Sequence, residues 1–159
     1  QKLKKFMYYI SKSVPVKINF SDMARDLELS RDELPKYLEY LEKAELVSVL
    51  RMKANGDAIL RKMDKLYLQN PNMSYVLSGE NPDTGNARET IFYCWTKQKY
   101  DTVESPVSDF EIDGKTFEVG GRNKGKKQIS NLEDAYVVKD TIEYVFDNQV
   151  PLWMFGFLY

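Results

Sequence analysis

The chain has 159 residues, and its 23 Lys and Arg nearly balance its 24 Asp and Glu. A chain of this length forms one domain or two small ones and folds without disulfides or structural metals. It contains no His, which excludes His-ligated zinc and the Ser-His and Cys-His hydrolases, and its single cysteine, Cys94, excludes an internal disulfide. No apolar run approaches the roughly 20 residues of a membrane span, so we expect a cytoplasmic protein with no membrane partner.

Positive charge is concentrated in the first half of the chain. Residues 1–80 carry 14 Lys and Arg against 11 Asp and Glu, whereas residues 81–159 carry 9 against 13. A mildly basic half is compatible with nucleic-acid binding. The sequence has no initial Met and opens on apolar residues at helical spacing, Leu3, Phe6 and Ile10, so we interpret the chain as a fragment of a longer protein.

Two short amphipathic helices and two strands are predicted after this first helix. We expect Ser21 to cap one helix and Ser30 the next, with a tight connection between them that has helix-turn-helix proportions. Apolar runs predict strands at 46–50 and 65–70, separated by a polar segment. Three helices and a two-stranded ribbon indicate a winged helix, which we assign to residues 1–69.

A winged helix binds DNA in some proteins and packs against protein in others, because a fold does not determine a function. Acidic side chains on the outer face of the second helix of the pair repel phosphates, whereas basic side chains there and in the ribbon attract them. The candidates for DNA contact are Arg31, Lys36, Tyr40, Arg51, Lys53, Arg61 and Lys62. Both uses of the fold stay open at this point.

A β-hairpin is predicted in the second half of the chain. Asp113-Gly114 lies between two alternating runs and can form a two-residue type I′ turn. The resulting register places Phe110 opposite Phe117 on one face and Asp109 opposite Glu118 on the other. Two facing carboxylates repel each other, and a divalent cation such as Mg²⁺ or Mn²⁺ would compensate them. The alternative is an ordinary polar face in water, where the repulsion is screened.

A glycine pair and a run of cations follow this hairpin. Gly120-Gly121 leaves the backbone unhindered, and basic side chains that can hold phosphate oxygens come next, namely Arg122, Lys124, Lys126 and Lys127. The spacing GxxxxGK[ST] is absent, so the loop is not a P-loop. We also predict a helix at 86–95, with Glu89 on its flank, and a strand at 135–142.

The order of these segments resembles the C-terminal half of a large family of prokaryotic AAA+ ATPases. The similarity spans nearly the whole chain, and its most specific pieces are GNARET at 85–90 and DFEIDGKTFEVGG at 109–121. In that family a P-loop ATPase domain precedes a winged helix and a domain of unknown function related to the PD-(D/E)xK nucleases. The resemblance implies an α+β chain with a restriction-endonuclease-like mixed sheet at 70–159, and ATP bound only by a domain upstream.

The resemblance also implies a nuclease-like site. In the active nuclease pattern an acid on a helix, an Asp on one strand and Glu-x-Lys on the next assemble around a divalent metal. Glu89 corresponds to the helix acid, Asp109 to the strand acid and Glu118 to the Glu of Glu-x-Lys, with Asp109 and Glu118 as the metal ligands. Gly120 stands in the position of the lysine, and Lys124 is the candidate for a lysine that has migrated into the loop.

The leading expectation is therefore a DNA-binding or substrate-engaging module of a prokaryotic AAA+ ATPase that lacks nuclease activity because of Gly120. One alternative is a metal-dependent DNA nuclease that uses Glu89, Asp109, Glu118 and the displaced Lys124. A second alternative is a protein-interaction module for assembly of the ATPase. The expected partners are DNA, the ATPase domain of the same chain, and further copies of the chain in a homo-oligomer.

Overall fold

The chain is an α+β protein, as expected. The computed structural model describes residues 1–52, 65–79, 83–125 and 127–158. Within them the chain divides into two compact units. The first unit contains residues 1–50 and 65–79, and the second unit contains residues 51, 52, 83–125 and 127–158. No helix in the described residues is long and apolar enough to cross a membrane.

The first unit combines helices with a small antiparallel sheet. Its described elements are α1 (Lys2–Ser13), β1 (Val16–Lys17), α2 (Phe20–Leu27), α3 (Glu33–Lys43), β2 (Val47–Leu50), β3 (Lys65–Leu68) and α4 (Asn72–Ser78). The strands lie in the order β1-β3-β2, and both pairings are antiparallel. The domain boundary predicted after residue 69 lies too early, because α4 packs against α1 within the first unit.

The core of this unit forms because each helix has one apolar stripe. Phe6 and Ile10 of α1 and Leu34, Leu38 and Leu41 of α3 follow helical spacing, and each is at most 2% exposed. Burying a side chain of this size contributes about 1.5–3 kcal/mol. The apolar periodicity of the sequence therefore determines which helix faces meet.

The sequence predicts that Ser21 caps α2 and that Ser30 caps α3, and the structure agrees with these two predictions to different degrees. The side chain of Asn19 accepts hydrogen bonds from the backbone N–H groups of Ser21 and Asp22, at 3.1 and 3.3 Å. Asn19 is thus the N-cap of α2, and the prediction of Ser21 was wrong because the helix already begins at Phe20. For α3 the N-cap is Asp32, and Ser30 agrees with the prediction only in its hydrogen bonds: its hydroxyl accepts from the N–H of Glu33, while the Glu33 carboxylate accepts from the N–H of Ser30.

The second unit is built on a five-stranded mixed sheet. Its described elements are α5 (Thr84–Thr96), β4 (Val103–Glu104), β5 (Phe110–Ile112), β6 (Lys115–Gly120), β7 (Ala135–Lys139), β8 (Gln149–Pro151) and a 3₁₀-helix (Leu152–Phe157). The strands lie in the order β4-β5-β6-β7-β8. The first two pairings are antiparallel and the last two are parallel.

The two faces of this sheet are covered by different elements. On one face the ring of Phe92 in α5 lies 5.0 Å from that of Phe110 and 5.5 Å from that of Phe117. On the other face Ile129, from the connection between β6 and β7, packs with Ala135 and Val137 of β7. Glu118 of β6 shares this second face with Val137 and is buried there.

Candidate functional site

The hairpin of β5 and β6 has the register that the sequence predicts. Phe110 pairs with Phe117, and Glu111 pairs with Thr116. The two turn residues, Asp113 and Gly114, have φ values of 50° and 78°, as a type I′ turn requires. The local turn chemistry thus places the two predicted carboxylates on neighbouring strands.

Glu118 is the most buried ionisable side chain of this hairpin, with 1% of it exposed. It lies on the same face as Val137, its partner on β7. The hydroxyl of Ser108 donates a hydrogen bond to Oε2, and the ammonium of Lys124 lies 2.5 Å from Oε1. Burying a carboxylate costs free energy unless a cation and a hydrogen bond lie beside it, and these two neighbours supply both.

Asp109 precedes β5 and is half-buried. Its Oδ2 atom accepts a hydrogen bond from the backbone N–H of Val119, at a distance of 2.8 Å. This bond ties Asp109 to β6 one residue after Glu118. The carboxyl group is therefore fixed beside the strand that carries Glu118.

Lys124 enters the site from the loop after β6. Its backbone N–H donates to the carbonyl of Gly121, which turns the chain back over the end of the strand. The aliphatic part of its side chain lies directly over Gly120, where a Cβ atom on Gly120 would collide with the Cβ, Cγ and Cδ atoms of Lys124. Lys124 therefore fills the space into which a side chain at position 120 would project.

The charge of Lys124 is held by three acids. Burial lowers the pKa of its ammonium, but the hydrogen bond to Glu118 and the charges of Asp109, Glu118 and Glu89 outweigh burial and raise the pKa above its usual value. Glu89 is half-buried on α5. We call Glu89, Asp109, Glu118 and Lys124 the acid-lysine cluster, because the structure brings these four predicted residues together.

The carboxylates of this cluster fit a hard cation with few protein ligands. Within the described ranges, no group of three or more Asp, Glu or Cys side chains is arranged to hold a metal ion. Glu89 belongs to no such group within these ranges, and its charge acts on Lys124. Mg²⁺ binds through one or two carboxylates together with water and substrate phosphates, and Mn²⁺ prefers the same oxygen ligands. Asp109 and Glu118 supply two carboxylates of this kind, and in the structure Lys124 and Ser108 contact the oxygens of Glu118.

The other predicted phosphate contacts of the second unit lie at its surface. Arg122 and Lys127 are exposed, as is Arg51. Lys126 lies outside the described residues. Arg51, Arg122 and Lys127 are accessible to a polyanion, and none of these three forms an ion pair with Glu118.

In the first unit, the predicted DNA contacts fall into two kinds. Arg31 and Lys36 are exposed, beside and within α3, whereas Tyr40 lines an apolar groove of about 490 Å³ between α1, α3 and α4. Two acids of α3, Glu33 and Glu39, are paired with Lys2 at 3.0 Å and with Lys43 at 2.5 Å. The remaining candidates Lys53, Arg61 and Lys62 lie outside the described residues.

A family model described as a domain of unknown function, DUF8612, matches residues 1–84, slightly more than half of the 159 residues. The chain belongs to the DUF8612 family. No curated protein and no solved structure matches the chain. The DUF8612 match contains all described residues of the first unit and ends where α5 begins, so the acid-lysine cluster lies beyond it.

Side chains that the sequence analysis did not single out support the cluster beyond the DUF8612 match. Ser108 holds Glu118, and its position beside Asp109 is the signal that would have found it. Arg88 of α5 places Nε 2.5 Å from Oδ2 of Asp140, just after β7. A Cβ atom on Gly121 would lie 3.1–3.2 Å from the guanidinium of Arg88, so Arg88 would have to shift by a few tenths of an ångström to admit another residue there. No sequence spacing predicts this long-range contact.

Proposed function

We propose that the second unit is a metal-dependent DNA nuclease in which Lys124 takes the place of a lysine on β6. The observation that supports this proposal is the position of Lys124. Its side chain occupies the space above Gly120, and its ammonium lies 2.5 Å from the buried carboxylate of Glu118. A lysine from the adjoining loop thereby compensates for the absence of a lysine at position 120.

Each member of the acid-lysine cluster has a role in this proposal. Asp109 and Glu118 would hold Mg²⁺ or Mn²⁺ through their carboxylate oxygens. When bound, the metal supplies a Lewis acid and an activated water. Lys124 remains protonated beside three carboxylates and can donate hydrogen bonds to phosphate oxygens as their charge grows. The charge of Glu89 makes the smallest of the contributions that raise the pKa of this ammonium.

The nuclease proposal predicts cleavage that depends on a divalent metal and on Asp109. The purified chain should cut single-stranded or duplex DNA in Mg²⁺ or Mn²⁺ but not in EDTA, and Asp109→Asn should lower the rate at least about 10²-fold. Gel analysis of labelled DNA measures the rate. Asp113→Asn is the matched control, because Asn tolerates the positive φ of the hairpin turn and Asp113 is remote from Glu118. Equal loss in both variants, or no cleavage by the unaltered chain, would refute the proposal.

We also propose that the DUF8612 region is a winged helix that engages DNA, in the cytoplasm, on behalf of a prokaryotic AAA+ ATPase. The order α1-β1-α2-α3-β2-β3 with the strands arranged β1-β3-β2 supports a winged helix. The pairing of Glu33 and Glu39 with lysines reduces the repulsion that acids on α3 exert on phosphates. Arg31 and Lys36, beside and within α3, are exposed cations that can contact phosphate. The ATPase itself is proposed from the sequence resemblance alone.

Duplex DNA binding should therefore be salt-dependent and should weaken when the α3 cations are removed. Fluorescence anisotropy in EDTA should show affinity that falls steeply as salt rises, with a slope reduced by about two in Arg31→Ala/Lys36→Ala. Lys17→Ala, on the exposed β1 strand, is the control and should retain the slope. Binding that is absent at low salt would instead favour a protein-interaction role for the DUF8612 region.

A further inference from the structure

Lys139 stands beside the acid-lysine cluster on the neighbouring strand. Strand β7 runs parallel to β6, and Lys139 pairs with Gly120 while Val137 pairs with Glu118. Paired residues of adjacent strands project from the same face, and residues two apart on one strand share a face. The side chain of Lys139 therefore leaves the sheet on the face of Glu118, next to the place that Lys124 fills.

The ammonium of Lys139 contacts a neutral partner, whereas the ammonium of Lys124 contacts a carboxylate. Lys124 forms an ion pair with Glu118, whereas Nζ of Lys139 donates to a backbone carbonyl, that of Arg122, at 3.4 Å. A lysine has three N–H donors. Because Lys139 is half-exposed at the end of β7, its other donors can meet an anion that arrives from solvent.

The charge of the cluster creates a need for such a cation. Three carboxylates, Glu89, Asp109 and Glu118, act on the single ammonium of Lys124. Without a bound metal, as in EDTA, the balance of these four charges is negative, and a phosphodiester that approaches them is repelled unless another cation lies on the same face. Lys139 meets this requirement through its register with Gly120.

We propose that Lys139 is a substrate-binding residue that holds a non-bridging phosphate oxygen of the DNA backbone beside the acid-lysine cluster. This inference rests on the proposed nuclease function and adds the residue that receives the substrate phosphate. It separates two tasks between two lysines. Lys124, beside Glu118, acts at the reacting phosphate, and Lys139 binds the incoming strand.

A structural role through the carbonyl of Arg122 is the competing explanation, and two variants separate it from substrate binding. Lys139→Gln keeps a donor for that carbonyl but removes the charge, whereas Lys139→Arg keeps both. Lys115→Gln is the matched control. Lys115 is an exposed lysine at the opposite end of β6, roughly 16 Å from Gly120 at about 3.3 Å per residue, and it projects from the other face.

The test measures cleavage of labelled DNA in Mn²⁺ and anisotropy of the same DNA in EDTA. For Lys139→Gln we expect KM to rise about tenfold with kcat changed less than about twofold, and we expect the salt slope of binding to fall by about one. Lys139→Arg and Lys115→Gln should match the unaltered chain in both measurements.

The outcomes distinguish this inference from the nuclease proposal. If the unaltered chain cuts DNA and Lys139→Gln has the same KM and salt slope, the role of Lys139 is refuted while the nuclease stands. If the unaltered chain does not cut DNA, the nuclease proposal fails, and the salt slope alone decides whether Lys139 contacts phosphate. A fall in kcat with unchanged KM, or an equal effect of Lys115→Gln, would also overturn the role of Lys139.

Discussion

Lys124→Met is expected to lower the free energy of unfolding by about 3 kcal/mol. The substitution leaves the carboxylate of Glu118, 1% exposed, without the cation that lies 2.5 Å from it. Removing one partner of a buried ion pair destabilises a protein by about 3–5 kcal/mol. The lower end of this range applies here because the side chain of Lys124 is 34% exposed. Urea unfolding followed by tryptophan fluorescence measures the change, since both Trp95 and Trp153 lie in the second unit.

A second substitution shows whether the loss comes from an uncompensated charge. Lys124→Met/Glu118→Gln has no buried carboxylate at position 118, and its amide can still bond to Ser108, so most of the lost stability should return. Lys127→Met, an exposed lysine from the same connection, should change stability by at most about 0.5 kcal/mol. If the double variant is no more stable than Lys124→Met, the ion pair does not stabilise the second unit.

The parts of the site that could be predicted from the sequence are those set by local chemistry. The Asp113-Gly114 turn determines the hairpin register, and the period of two then assigns Asp109 and Glu118 to a common face. Apolar spacing in the same way identifies the buried stripes of α1 and α3. These features depend on residues that are close together in the chain.

The remaining features depend on contacts between distant segments. Asn and Ser both favour the N-cap position, and only the path of the chain before Phe20 decides that Asn19 and not Ser21 takes it. The packing of α4 on α1, which moves the domain boundary, joins segments about 60 residues apart. The approach of Lys139 to the cluster likewise follows from parallel pairing across the β6–β7 connection, which no short-range pattern encodes.

The position of Lys124 is the clearest example of a feature that the sequence alone does not predict. The sequence places a lysine four residues after Gly120 but does not show which way the loop turns. The hydrogen bond from the N–H of Lys124 to the carbonyl of Gly121 folds the loop back over β6. The glycine that removes a lysine from the expected spacing is also the residue that makes room for its replacement.

Moving the lysine back to the strand should therefore preserve nuclease activity. Lys124→Met is expected to lower the rate of Mn²⁺-dependent DNA cleavage by about 10²-fold or more, because one preorganised donor at the reacting phosphate is lost. In Gly120→Lys/Lys124→Gly, removal of the Lys124 side chain frees the space over Gly120, and the new lysine projects from the face of Glu118, two residues earlier on β6. We expect this double variant to cut DNA within about tenfold of the unaltered chain.

Two single variants control the exchange. Gly120→Lys alone should be poorly folded, because its Cβ atom collides with the stem of Lys124, and Lys124→Gly alone should fold but remain as inactive as Lys124→Met. Tryptophan fluorescence reports folding, and gel analysis of labelled DNA reports cleavage. Rescue by the double variant would show that one ammonium beside Glu118 is required wherever it is attached. If the double variant is folded but inactive, or if Lys124→Met cuts DNA as fast as the unaltered chain, Lys124 is not the replacement for a strand lysine and the nuclease mechanism proposed for this cluster is wrong.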